Sequence, residues 1–321
     1  MANYYVDPAA TGAADGSSWT DAWTSLQTAA DTATAGDTVY CRGTQTLAAA
    51  IDFDTNSGSS GSMIKFVGCN AAGSVDGTQF ILDGNSTAAN CINGDVDFVW
   101  LENIKLTNAT SHGVTYSTYT TSWVWNNVWV HSNGGYGLYG NNYWRYARMF
   151  RCRFSSNSSG GVYRVRGIHF TACSFSGNTS YGINNSTEMF FVGCVFDDSD
   201  VAIYGGGNYH VLVNCVFDGN TTGFRDANAY STINGCRFTN NTTGIDQALG
   251  FELPICCYFG GNTTDIGGVS GEYDVPAFDG DTTHVIFGGT DTDDGYVDSA
   301  SGDFNLDGDT ASLFSEAITI P

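Results

Sequence analysis

A cysteine returns every 21 residues at Cys152, Cys173, Cys194, Cys215, Cys236 and Cys257, and a phenylalanine follows each two places later, at Phe154, Phe175, Phe196, Phe217, Phe238 and Phe259. A fixed period of about 20 is too short for two packed helices and suits one coil of three short strands, so it predicts a stacked solenoid. In such a stack each coil buries its apolar side chains only against the coils above and below it.

With each Cys as the zero position, the frame runs back through Val128, Ile104 and Phe80 at a spacing of 24, giving nine coils in one register. Position +2 is apolar throughout, as Leu82, Leu106, Val130 and then the six Phe. Position −3 is apolar at Leu101, Trp125, Met149, Phe170, Phe191, Leu212 and Ile233. Alternating residues therefore face inward, as a strand of period two requires. The residue before the zero position is Asn103, Asn127, Gly193, Asn214 or Gly235 in five of eight coils, and these types tolerate a left-handed bend. Position +5 is Asn in seven of nine coils, at Asn85, Asn133, Asn157, Asn178, Asn220, Asn241 and Asn262. Their amides are expected to hydrogen-bond up the stack. A third strand opens at Gly137, Gly161, Gly182, Gly223 and Gly244.

An open coil at either end leaves unpaired backbone groups and a bare core, so both ends need caps. The expected organisation is an N-terminal cap and first coil over 1–60, β-helix coils over 61–270 and an acidic, glycine-rich capping tail over 271–321. Ser18 to Ala33 reads as an amphipathic capping helix carrying Trp19, Trp23, Leu26 and Ala30 on one face.

Tyr4-Tyr5-Val6-Asp7, then Trp19 to Leu26, then Gly36-Asp37-Thr38-Val39-Tyr40 resembles the capped entry of right-handed parallel β-helix proteins. That superfamily includes pectate lyases, polygalacturonases and phage tailspikes. Gly302-Asp303-Phe304-Asn305-Leu306 resembles their closing segment. The resemblance implies an all-β, single-stranded right-handed parallel β-helix with three short strands per coil and an N-terminal capping helix. It covers almost the whole chain but is one of fold, from which function does not follow.

Acids number 33 against 11 lysines and arginines, a formal charge of −22. A surface of that sign does not neutralise phosphates, so nucleic acid is not an expected partner. Met1 to Val6 has neither a basic start nor an apolar run, so neither a signal peptide nor a membrane span is expected.

The cysteine column admits a disulfide or metal reading and a packing reading. Ile104 and Val128 share the column, and in-register side chains point parallel with Cβ atoms slightly too far apart for a bridge, so a buried ladder of free thiols is expected. No CxxC pair is present. Six of the nine arginines, Arg145, Arg148, Arg151, Arg153, Arg164 and Arg166, fall in one short stretch. They read as a belt gripping an acidic polysaccharide or partner, or as local neutralisation of neighbouring acids.

Just after the third-strand glycines come Tyr139, Tyr163, Tyr204, Arg225 and Asp246. With Arg164 and Arg166 they form the expected glycan- or partner-binding line; the resemblance implies that this face often carries the site. Tyrosines on strands are also simply common. Paired carboxylates for glycosidic hydrolysis occur at Asp197-Asp198. A lyase needs a positioned base and acidic calcium ligands, for which Arg225 with Asp226 is the best pair. Gly-His-Gly and Arg-Ile-Lys, the polygalacturonase signatures, are missing. Asp303 to Asp309 resembles half a calcium loop, but its twelfth position is Phe314. No cofactor is expected, calcium being the one candidate. The five histidines have no ligand spacing around them.

Position −4 faces outward yet holds Trp100, Val124, Phe190, Val211 and Leu253, with Phe98, Tyr146, Tyr209, Tyr230 and Phe251 at −6. A contiguous apolar outward face reads as a subunit interface, or as ground covered by the chain's own loops. Two functions follow. One is a non-enzymatic phage virion surface protein, a head decoration or tailspike-type trimer that meets capsid or tail proteins and surface glycans. The other is a secreted lyase or hydrolase acting on an acidic polysaccharide.

Overall fold

The structure, a computed structural model, describes residues 1–141, 144–206, 209–226, 231–247, 254–255 and 257–267, with the short strands Ile286–Phe287, Tyr296–Asp298 and Asp303–Leu306. Its strands form three long parallel sheets of 11, 11 and 10 strands. One coil gives one strand to each sheet, as His169–Thr171, Ser174–Ser176 and Tyr181–Ser186 do in turn. This is the three-strand parallel β-helix that the period predicts. The register reaches one coil further upstream than the spacing did, because Thr44–Thr46 pairs with Ile81–Asp83 across an irregular step.

In-register pairing sets Phe154 beside Phe175, then Phe196, Phe217, Phe238 and Phe259. Their rings stack at centroid separations of 4.6 to 5.2 Å with planes within 10° of parallel. Phe170 and Phe191 form a second stack from position −3 and meet the first edge-on, Phe170 to Phe175 at 5.3 Å and 74°. All are buried. The nine described cysteines are buried and free, and burial pushes the Cys41 and Cys173 thiols well up and Cys91 to about 12.

From the coil at Ile104 to the coil at Cys215, the corners between strands are single left-handed residues, three to a coil. The bend before the zero position holds Asn103, Asn127, Arg151, Ala172, Gly193, Asn214 and Gly235, with φ between 52° and 62°. Arg151 and Ala172 are neither Asn nor Gly, yet they turn the same corner because their neighbours above and below fix it. A second corner at +4 holds Asn108, Ser132, Ser156, Gly177, Asp198, Gly219, Asn240 and Gly261. The third, at −6, holds Phe98, Ser122, Tyr146, Gly167, Glu188 and Tyr209.

Beside the second corner runs the asparagine ladder. Asn133 Nδ2 donates to Asn157 Oδ1 at 2.9 Å, Asn157 to Asn178 at 3.1 Å, Asn220 to Asn241 at 3.1 Å and Asn241 to Asn262 at 2.9 Å. Each Oδ1 also accepts the backbone N–H of the coil before, as Asn178 does from Asn157 at 3.2 Å. Buried amides left unpaired would each cost about 1–3 kcal/mol, so the ladder makes this turn affordable without water. Asn85 is a correction: it is exposed, and the ladder starts instead at Ala109, whose N–H donates to Asn133 Oδ1 at 3.0 Å.

The change of period from 24 to 21 comes out of one loop, between the third strand and the next first strand. It spans 116–123 and 140–147 in the long coils and 164–168 in the first short one. The strands stay in register because the lost residues lay outside them. The long loops also pair as Thr120–Thr121 with Trp144–Arg145.

The N-terminal cap contains α1, Leu26–Thr32, capped by Ser25, whose side chain accepts from Gln27 N–H. The helix expected over Ser18 to Ala33 is therefore much shorter. Ser18 and Asp21 bond to each other locally, and Trp23 N–H and C=O are taken by Tyr5 and Asp7. Both patterns compete with helix formation. Leu26, Ala29 and Ala30 are buried over the open end of the core. The tail expected over 271–321 lies outside the described residues apart from the three short strands.

Two outcomes test these corners and columns. Ala172→Gly removes a Cβ from a left-handed residue and is expected to stabilise the protein by about 0.5–1 kcal/mol; a lower urea midpoint would contradict the assignment. In a Cys256→Ser variant, which leaves only the nine buried thiols, those thiols are expected to stay silent to a disulfide reagent in native buffer and to react once the chain is unfolded, and rapid native labelling would rule out the sealed column.

Candidate functional site

The third-sheet strands do not alternate strictly: His112–Thr115 and Tyr136–Tyr139 both bury their two middle residues and leave the outer two part-exposed, which gives an inward set and two outward columns. Inward, Leu138, Val162, Ile183, Ile203, Phe224 and Ile245 join the core. The glycine column beside them runs close under the next coil: a Cβ on Gly137 would lie 2.8 Å from Gly161 O. One outward column pairs in register as Asp52, Asn93, Thr115, Tyr139, Tyr163, Asn184, Tyr204, Arg225 and Asp246. The other carries Asn90, His112, Tyr136, Gly160 and Tyr181, with Tyr136 beside Gly160. Tyr139, Tyr163, Tyr204 and Arg225, expected from sequence to lie along one line, do so; Asn184, Tyr136, Tyr181 and His112 complete the face.

The rings do not lie flat on the sheet. His112 stacks on Tyr139 at 4.5 Å, Tyr136 on Tyr163 at 4.6 Å, and Tyr139 and Tyr163 are 5.1 Å apart. These separations are too short for rings lying side by side, so the rings turn their faces largely to one another and their edges to solvent. Tyr136 crosses the gap left by Gly160, and its hydroxyl accepts from Asn184 Nδ2 at 2.8 Å. His112 Nδ1 accepts the Tyr136 N–H at 3.0 Å, which assigns the ring proton to Nε2. Burial holds the His112 pKa below its ordinary value.

The face is bounded by charge. At the upstream end Asp52, Asp54, Asn93, Asp95, Thr115 and Ser117 line a depression of about 280 Å³. Burial would raise the Asp95 carboxyl, but bonds from the Ser117 and Thr118 hydroxyls and N–H groups outweigh it and hold the pKa low. Downstream, Arg225 Nε donates to Asp246 Oδ2 at 2.6 Å. Asp226 ends the same strand and its side chain lies outside the described residues.

The six clustered arginines are spread around the coil. Arg164 lies over the Tyr163 ring at 5.2 Å, Arg145 over Tyr119 at 5.1 Å, and Arg166 pairs with Glu188. Arg145 and Arg166 are in bridge register with Thr187 beside the third sheet. Arg151 donates to Asn126 Oδ1 at 2.8 Å, Arg148 stands beside His169 on the first sheet, and Arg153 is on the second. Among the described residues Arg166 alone of the six has a carboxylate partner, so most of the belt is held by rings and amides.

Asp197 and Asp198 are not brought to Arg225. Asp197 closes a second-sheet strand, where Ser176 Oγ donates to it at 3.1 Å and burial pushes its carboxyl up. Asp198 is the left-handed corner that follows. The expected apolar column, Trp100, Val124, Phe190 and Val211, does lie on the outer face of the first sheet. Register inserts Arg148 and His169 into it, which splits it in two. Phe190, Val192 and Val195 are 37, 44 and 39% exposed and continue the downstream half around the Gly193 corner. Leu253, Tyr230 and Phe251 lie outside the described residues. So do Asp307, Asp309 and Phe314 of the calcium reading; among the described residues no group of three acids, histidines or cysteines is placed to hold a metal.

A cluster that the spacing did not single out sits on the second sheet. The Lys105 and Arg153 cations lie 4.6 and 5.2 Å from the Trp129 ring, and His131 stacks on it at 4.3 Å. The in-register positions 105, 129 and 153 carry the signal. Burial first and Lys105 second push the His131 pKa down to about 4, with Asp83 opposing.

No family model matches the chain, and no curated protein matches its sequence. Solved structures do match. A pectate lyase is 18% identical with a TM-score of 0.63, the match covering 83% of this chain and 77% of that one. A rhamnogalacturonan lyase is 13% identical with a TM-score of 0.56, covering 85% and 88%. The A-module of an Azotobacter vinelandii mannuronan C-5 epimerase is 13% identical with a TM-score of 0.52, covering 74% and 88%. At these identities the likeness is one of fold.

His131 gives a pH test. Its folded pKa of about 4 lies below the unfolded value near 6.5, so between these limits the unfolded chain binds more protons and stability falls as pH is lowered. His131→Phe keeps a ring on Trp129 and is expected to flatten the fall in Tm between pH 6.5 and 4; an unchanged slope would assign the acid sensitivity elsewhere.

Proposed function

We propose that this right-handed parallel β-helix of the pectate-lyase-like superfamily is a glycan-binding protein whose binding face is the outward side of its third sheet. The observation that carries this reading is the continuous column Tyr139, Tyr163, Asn184, Tyr204 and Arg225, widened by Tyr136, Tyr181 and His112. It puts phenols, an amide and an imidazole in a row along the rod, spaced by the coil repeat, as a linear polymer of polar rings requires. The fold likeness to a pectate lyase, a rhamnogalacturonan lyase and a mannuronan epimerase favours a polysaccharide over other linear ligands.

Binding without cleavage suits the charges. A lyase base must give up its proton, and an arginine held by a carboxylate at 2.6 Å, as Arg225 is by Asp246, keeps it. Glycosidic hydrolysis needs two facing carboxyl groups, one of them kept protonated as the acid; Asp197 and Asp198 stand at a second-sheet corner, and at the upstream end of the face Asp95 is held in its ionised form by Ser117 and Thr118. The finer reading is a virion surface protein, assembled as a trimer. It draws support from the exposed strip Phe190, Val192 and Val195 with Val211, an apolar surface that a second subunit would cover.

Glycan-array and calorimetric binding test the face. Tyr139→Ala with Tyr163→Ala is expected to weaken glycan binding at least tenfold, while His131→Phe on the second sheet leaves it unchanged. Equal loss in both would point to a general effect on the rod. Release of unsaturated or reducing ends from bound glycan would overturn the non-catalytic reading, and a monodisperse monomer by light scattering would overturn the trimer.

A further inference from the structure

Resting on the glycan-binding reading, we infer that the third-sheet face takes a neutral, hydroxyl-rich glycan, read through phenol hydroxyls and side-chain acceptors, and discriminates against polyuronates. Three observations converge on this. The first is ring orientation. Tyr136, Tyr139, Tyr163 and His112 turn their faces to one another, and Arg164 lies over the Tyr163 ring. What a ligand lying along the rod meets is therefore the edge of the stack, where hydroxyl groups both donate and accept. Sugar hydroxyls match that chemistry in both directions.

The second is the inventory of groups along the face. Asn93 and Thr115 precede the rings, Asn184 lies between Tyr163 and Tyr204, and Asp52, Asp54 and Asp95 border the upstream end. Ionised carboxylates only accept hydrogen bonds. They are served by hydroxyl donors and repel a carboxylate.

The third is the state of the cations. Strong recognition of a carboxylate needs an arginine fork free to close on it. Arg225 is occupied by Asp246 and Arg166 by Glu188, while Arg145 and Arg164 pack on rings. The chain as a whole carries a formal charge of −22, so its net field opposes the approach of a polyanion, most strongly at low salt. Three of the solved structures of similar fold are enzymes named for pectate, rhamnogalacturonan and mannuronan. The face of this chain is built for a neutral ligand.

The full chain is titrated calorimetrically at low and high salt with two panels matched in length, neutral oligosaccharides (glucans, galactans, mannans and N-acetylglucosamine oligomers) and oligomers of galacturonate and mannuronate. The expected result is at least one neutral oligomer bound tenfold or more tightly than every uronate at low salt, with the gap narrowing as salt rises. Tyr139→Phe and Tyr163→Phe keep the stack and remove one hydroxyl each; each is expected to weaken that neutral ligand about fivefold, the factor of one neutral hydrogen bond. Uronates bound as tightly as neutral oligomers would overturn the inference and leave the glycan-binding reading standing. Unchanged affinity in both Phe variants would overturn the edge-on recognition. Binding of neither panel would overturn both the inference and the reading beneath it.

Discussion

Everything in this rod depends on consecutive coils pairing in register at the spacing of hydrogen-bonded strands. Register places like on like: Phe175 on Phe154, Asn157 on Asn133, Cys173 beside Cys152. A globular core solves its packing once for each contact. Here one solution is repeated, so a small set of side chains recurs and each recurrence supports its neighbours. The asparagine ladder shows what the repeat gains, and Ser199 interrupts it between Asn178 and Asn220 while its own N–H still donates to Asn220 Oδ1. Each Oδ1 accepts from the coil before it and each Nδ2 donates onward or to backbone, so an amide one residue out of place would leave several buried donors unmet.

The same constraint governs the corners. A residue at −1, +4 or −6 is left-handed because the strands on either side are already fixed by the coils above and below. Asn and Gly are preferred there, but Arg151, Ala172 and Tyr146 adopt the same φ. The cost of a Cβ in that region is about 1–2 kcal/mol, small against the hydrogen bonds of three strands. The change of period from 24 to 21 falls in the loop after the third strand, while smaller changes in the turn before the third strand, as between Asp197 and Val201, are absorbed by a shift in that sheet's register.

The outer surface inherits this order, which is why its chemistry comes in stripes. On the third sheet the stripe is polar and aromatic, and the strand spacing that stacks phenylalanines inside also stacks His112, Tyr136, Tyr139 and Tyr163 outside. Close spacing forces the rings on edge, and the ends of the stripe carry carboxylates or arginines already partnered. On the first sheet the stripe is apolar downstream and is broken upstream by Arg148 and His169. The rod thus presents faces of different character.

The 21-residue rhythm by itself determined the solenoid, its inward columns, the free-thiol ladder and most of the asparagine ladder, because each follows from spacing repeated along the chain. The rhythm did not by itself align the third sheet's outward column: the glycines that open the strands marked Tyr139, Tyr163 and Arg225, and Tyr204 joins them because the turn before Val201 is one residue shorter, so that Asn184 pairs with Tyr204. Other features depend on what register brings beside each residue. Asn85 shares the ladder's spacing but not its burial, and Asp197 and Arg225 are close in sequence terms yet belong to different sheets. The sandwich of Trp129 between Lys105 and Arg153 joins residues 24 apart on either side. Short-range alternation decides which way a side chain leaves the strand. Only the stacked structure decides what it then meets, because in a solenoid every lateral contact comes from the next coil.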